Sequence, residues 1–417
     1  MLHSAEPMNS TVSGDYAAGP VYSISKWIWF GFLLRLVLMV FIHFTEVDKS
    51  MSLTKDAFLY DRVGTEMANY FSSNGQQPWP SRVEGYVDFC WEWFIGLTYY
   101  TFGHEPLLIK LVTVVTGALV PLLHYRMAKI VTNDSKISVT VLLVSAFFPT
   151  QVYYSALMVR DSISAFAVSL TLLGVVEFIR KATDTWPLKL IIGFVLILGL
   201  RSYLASLLAV IIPMSLLVTS FVSSGSRGRA MAGTLLIGIT AVGSLILAPN
   251  LINELDTQYT DLEYVNKVRG KMNVGSGAMF SGDVSEVGSS LIDTATSFTV
   301  GLYFFFFSVN PAQLTSIRQI IALPEVAIVI LGSFYAVKGG FVLWRERRDV
   351  ILPVLIPTLI MTLGYSAATT NGGPLMRWRM QLLGVYLILG ATGFVTSTRG
   401  QTTQYEPAYD KQGYLIG

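Results

Sequence analysis

Charged residues make up only 13% of this 417-residue chain, and several of them stand at the edges of apolar runs. The stretch KDAFLYDRVGTEMA, residues 55–68, sets Asp56, Asp61 and Glu66 just after the first such run. YYSALMVRDSIS, residues 153–164, places Arg160 and Asp161 at the head of another, and GLRSYL leaves Arg201 between two more. NGGPLMRWRM, residues 371–380, puts Asn371, Arg377 and Arg379 ahead of the last. A carboxylate held at fixed depth can take a proton from a hydroxyl or amine. A guanidinium offers a planar fork that fits phosphate oxygens, and lipid phosphates lie at this depth. Each residue also has a plainer use. Asp56 suits a helix N-cap, a role compatible with catalysis because a cap is fixed in direction. Arg160 and Asp161 suit an interfacial anchor beside a dipole-friendly acid, or else a second carboxylate facing the same cavity. Arg201 could snorkel, and Arg377 with Arg379 could hold anionic headgroups.

The elements that must position these groups are read from the apolar runs. With 52% hydrophobic residues, the chain is too apolar for a soluble globular protein, where roughly 25% charged is usual. Runs near the ~20 residues needed to cross a bilayer lie at 27–45, 107–123, 137–153, 162–179, 187–200, 203–222, 231–249, 319–341, 351–368 and 380–397. The expected fold is an all-α, polytopic integral membrane protein of about ten (10–12) transmembrane helices. Tails at 1–26 and 398–417 flank a membrane domain at 27–397. The first tail lacks a charged region followed by an apolar core, so no cleavable signal peptide is expected.

Short basic loops mark the cytoplasmic side. Arg126, Lys129 and Lys136, then Arg180, Lys181 and Lys189, then Arg227 and Arg229, then WRERR at 344–348 agree if both termini are cytoplasmic. That agreement requires residues 297–311 to be re-entrant or interfacial. Three segments then fall on the outer face: 46–106, 250–296 and 369–379. Residues 57–72 space Phe58, Val63, Met67 and Tyr70 or Phe71 about one helical turn apart, which predicts a helix along the membrane surface. Residues 87–103, rich in aromatics, predict a second. The polar, glycine-containing 250–290 predicts a loop or lid.

Several chemistries lose support. The net charge of +2 supplies no basic field for nucleic acid. No P-loop or HExxH motif is present, Cys90 is the single cysteine, and the four histidines are scattered, so no cofactor is indicated. A divalent metal is compatible with the acids but not indicated by them. GSGAMFSG, residues 275–282, follows no strand and reads as flexible linker.

DAFLYDRVGTEMA resembles the opening of the first outer loop in GT-C glycosyltransferases: an Asp, a Tyr four residues on, and small residues at +8 and +12, here Asp56, Tyr60, Gly64 and Ala68. Residues 85–112 are similar to the second part of that loop. FFPTQVYYSALMVRDSISAF is similar to the family's third and fourth spans, with Pro149, Ser155 and Asp161. Asn371, Arg377 and Arg379 are similar to the N-x-G-x-x-x-R-x-R segment of bacterial members that assemble surface polysaccharide. The sequence departs from the best-known members in having Ala57 where an acid would complete an Asp-Glu pair, and no soluble C-terminal domain is seen.

The resemblance implies an inverting glycosyltransferase of the inner or plasma membrane, acting on its outer face. It would take a sugar from a polyprenyl-phosphate-linked donor to a glycan, lipid or protein acceptor. Asp56 would act as base, with Asp161 as second catalytic carboxylate. Arg160, Arg201, Arg377, Arg379, Tyr60 and Asn371 would hold substrate and phosphate. A polysaccharide polymerase or ligase using lipid-linked oligosaccharide is the first alternative. A lipid-linked sugar flippase or transporter is the second, disfavoured because the runs hold few ionisable residues, mainly Arg35 and Glu177, and because transporter sites favour broken helices at the midplane.

Overall fold

The computed structural model describes residues 21–45, 55–76, 90–222, 238, 291–307, 317–369 and 372–404. Apart from residue 238, the run at 231–249, the lid segment at 250–290, Arg227, Arg229 and Asn371 lie outside the described residues. Among the described residues every regular element is a helix. α1 (Val21–Thr45) is followed by two shorter helices, α2 (Lys55–Ser72) and α3 (Cys90–Phe102). Then come α4 (Pro106–Thr132), α5 (Ser135–Ala146), α6 (Pro149–Ser155), α7 (Asp161–Arg180), α8 (Trp186–Leu200) and α9 (Ser202–Val222). The described chain closes with α10 (Leu291–Phe307), α11 (Ile317–Ala368), α12 (Gly372–Arg379) and α13 (Leu383–Gln404).

Among the described residues five helices are long and apolar enough to cross a membrane, and two bent pairs raise the number to seven. The chain is therefore a polytopic membrane protein, all-helical among those residues; of the ten runs, 231–249 lies outside them and 187–200 is a helix of 15 residues, α8, shorter than a span. A further difference comes from α11, whose 52 residues cover two of those runs. At ~1.5 Å per residue it would reach about 78 Å, more than twice the hydrocarbon thickness. It breaks at Arg347 (φ −139°, ψ 30°), inside WRERR. Its two arms run in opposite directions along α13. Gly332 packs on Gly390 and Lys338 donates to Ser397, so numbering rises together on the first arm. Thr362 meets Tyr386 and Tyr365 meets Gln381, so it falls on the second.

Two more of the runs are broken. α5 and α6 meet at 51° across Phe147 and Phe148, where Pro149 cannot continue a helix and restrains the residue before it. α12 and α13 meet at 72°. The expected outer loop at 369–379 is therefore largely a helix, α12, with Gly372, Leu375 and Arg379 buried.

α2 and α3 pack closely on each other through two glycines. A Cβ at Gly64 would collide with Ile95, and one at Gly96 would lie 2.7 Å from the Cβ of Met67. Tyr60 sits edge-on to Trp91, at 6.5 Å between centroids. Asp61, on a different face, accepts from the Tyr99 hydroxyl at 2.6 Å and lies 2.9 Å from His104 Nε2. This fixes where α2 begins, and hence where Asp56 stands.

The basic segments around Lys129, Arg180 and Arg347 gather at one end of the bundle. Asp134 caps α5 by accepting from the backbone of Lys136 and Ile137, and binds Arg399 at 2.6 Å. Arg180 reaches Asp349 at 3.5 Å, and Lys189 pairs with Glu177. The helices then deliver α6, the first turns of α2, α7 and α9, and α12 to the opposite end.

Candidate active site: a shared arginine between two aspartates

At that opposite end, groups distant in sequence converge. Arg377 of α12 donates through Nε and Nη2 to Asp161 Oδ2 at 2.9 and 2.6 Å, and through Nη1 to Asp56 Oδ2 at 2.5 Å. One guanidinium thus bridges the first turn of α2 and the first residue of α7. Arg201, at the α8–α9 junction, donates to the other oxygen of Asp161 at 2.6 Å and to the Tyr203 hydroxyl at 2.8 Å. Arg160 donates to the Leu200 carbonyl at 2.8 Å and adds to the positive potential at Asp161. Tyr154 of α6 lies under Arg377, with 5.6 Å from the guanidinium carbon to the ring centre.

Local structure explains the placement. Asp161 begins α7, where the unpaired amides favour an anion. The buried turn ahead of it, residues 156–159, is tied to α4 by Thr113, whose hydroxyl lies 2.9 and 3.0 Å from the carbonyl oxygens of Ser155 and Leu157. Asp161 is 0% exposed and has a guanidinium on each oxygen. The Asp56 side chain is 42% exposed and has one oxygen on Arg377. The two acids therefore differ in kind: one is locked in the wall and the other stands at the opening. Tyr60 is buried beside them, and its hydroxyl is pushed up to about 12, first by burial and then by Asp56 and Asp161 against Arg160 and Arg377. It can donate a hydrogen bond at neutral pH.

Arg379 does not join this cluster. Two residues along a helix turn the chain by about 200°, and Arg379 points inward. There it pairs with Glu325 of α11 and donates to the Phe305 carbonyl at 2.9 Å and to that of Phe306. Glu325 is not among the residues singled out in the sequence, although an acid inside the 319–341 run is itself a signal. Asp61 is also elsewhere, committed to Tyr99 and His104 on α3 and beyond. Its contact, after burial, drives the Tyr99 hydroxyl upward.

The donor set does not suit a divalent cation. Among the described residues no three His, Cys, Asp or Glu side chains stand together as ligands, and the space between the two aspartates holds Arg377. What the arrangement offers is anion binding beside an accessible carboxylate. Among known proteins, no family model matches the chain and no curated protein matches it.

Proposed function

We propose that the chain is a GT-C-like membrane glycosyltransferase, moving a sugar from a polyprenyl-phosphate-linked donor to an acceptor at the end of the bundle that carries Asp56. On this reading that end faces outward, with the basic end and both termini in the cytoplasm. The observation that carries it is the Asp56–Arg377–Asp161–Arg201 network. Arg160, Arg201 and Arg377 gather about the Asp161 carboxylate, and Arg377 joins it to the half-exposed Asp56 at the opening, a setting suited to a phosphate carried on a lipid.

In the proposed cycle the donor phosphate takes the position of the Asp56 carboxylate on Arg377. Asp56, released at the opening, accepts the proton of the acceptor hydroxyl or amine. The acceptor atom bonds to the anomeric carbon while the bond from that carbon to the phosphate oxygen breaks. The electron pair leaves with the polyprenyl phosphate, whose charge Arg377 and Arg201 stabilise. Asp161 holds both guanidiniums in place throughout.

The two broken helices favour a second reading, a flippase or transporter of the same lipid-linked sugar. Both readings are tested by extracting the lipid that co-purifies with the protein and measuring its mass. A polyprenyl-phosphate sugar supports the class of ligand. Its conversion to sugar-free polyprenyl phosphate on incubation supports transfer, and unchanged donor distributed across a sealed vesicle supports transport. Absence of any such lipid at protein stoichiometry counts against both.

A further inference from the structure

The buried pair formed by Glu325 and Arg379 lies outside the network just described, yet it is joined to α12, which carries Arg377, and to α6, which carries Tyr154 beneath it. Glu325 is 1% exposed and Arg379 3%. Glu325 Oε2 accepts the backbone N–H of Thr150 at 2.8 Å, in the first turn of α6, and also the Thr150 hydroxyl. Arg379 ends α12 and donates to the carbonyls of Phe305 and Phe306, at the close of α10. Its guanidinium carbon lies 6.0 Å from the centre of the Phe148 ring, in the α5–α6 break. A broken helix inside a membrane exposes amides and carbonyls that lipid cannot satisfy. Here one ion pair answers the start of one helix and the end of another.

We infer that Glu325 and Arg379 are positioning residues for Arg377. α12 carries Arg379 on its inward face and Arg377 on the other. α6 carries Thr150 at its start, and at its far end Tyr154, under Arg377, just before the turn to Asp161. The pair therefore fixes α12 against α6, and so sets where the Arg377 guanidinium meets Asp56 and Asp161. Neither Glu325 nor Arg379 touches Asp56 in this arrangement. The inference holds for the network itself, whatever its substrate.

The test is a double-mutant cycle between positions that do not touch, because independent sites add and coupled ones do not. Asp56→Asn weakens the contact to Arg377 and is expected to lower the melting temperature of the purified protein by about 2 °C. In the Glu325→Gln background the same change should cost less than half as much, since Arg377 is already displaced. An equal loss in both backgrounds would overturn the inference and leave the pair as a local fastening. Should Glu325→Gln fail to fold, the cycle is run with Thr150→Val, which removes one contact to Glu325 and keeps the ion pair, and is read the same way. In parallel, polyprenyl monophosphate in nanodiscs serves as probe. Glu325→Gln should lower its affinity about tenfold in the parent and not further in Arg377→Gln, whereas additive losses would also contradict positioning.

Discussion

The two ends of the bundle use the same residue types in different ways. At the basic end, Asp134 with Arg399, Arg180 with Asp349, and Lys189 with Glu177 each fasten one element to another. At the other end, Arg377 serves two aspartates and Asp161 serves two arginines, so removing either of these two leaves two charged groups short of a partner. Stapling needs only one partner per charge. Shared partners cost more to assemble and leave a group, Asp56, whose partner a ligand can take. That contrast is what supports the proposal that the Asp56 end is the functional one.

The contrast makes graded predictions. Asp161→Asn should have the largest effect on stability, because it leaves Arg201 and Arg377 without their buried acid; a loss of about 3 kcal/mol is expected, with loss of activity. Half-life at elevated temperature reports it, and a loss under about 1 kcal/mol would place Asp161 among the staples. Glu177→Gln at the basic end should cost about 1 to 2 kcal/mol, since the amide can still accept from Thr183, and should leave substrate binding unchanged. Altered binding there would blur the division between the ends.

Asp134→Asn should be smallest, because Asn caps about as well as Asp and the exposed Arg399 contact is worth at most about 1 kcal/mol. Slight burial works to raise the Asp134 carboxyl, but the bonds from Arg399, Ile137 and Lys136 outweigh it and hold it below its ordinary value. A carboxyl lowered on folding contributes stability above its unfolded value and loses it as pH falls through the folded one. Wild-type protein should thus lose this small contribution below about pH 4, and Asp134→Asn should show less acid sensitivity. Equal sensitivity would remove Asp134 from the account.

Much of this division was legible before any coordinates. Asp56, Asp161, Arg201 and Arg377 stand out because a charge at the edge of an apolar run is costly unless it is used. The helices α2 and α3 followed from the one-turn spacing of Val63 and Met67 and from the aromatic stretch after Cys90. Arg379 misled because it looks like a twin of Arg377, whereas residues two apart on a helix do not share a face. The bend at Pro149 is marked only by the proline itself, because both flanks are equally apolar and together predict one run at 137–153. Glu325 could not be matched to Arg379 or Thr150 from sequence, because their contact depends on how distant helices pack.

The central claim is tested most directly by Asp56→Asn in proteoliposomes carrying a labelled polyprenyl-phosphate sugar. The account predicts that the variant keeps the labelled donor bound yet releases or transfers its sugar about 10²- to 10⁴-fold more slowly than the parent, as expected for removal of a general base. Sugar transfer at the parent rate by a stably folded Asp56→Asn protein would contradict it.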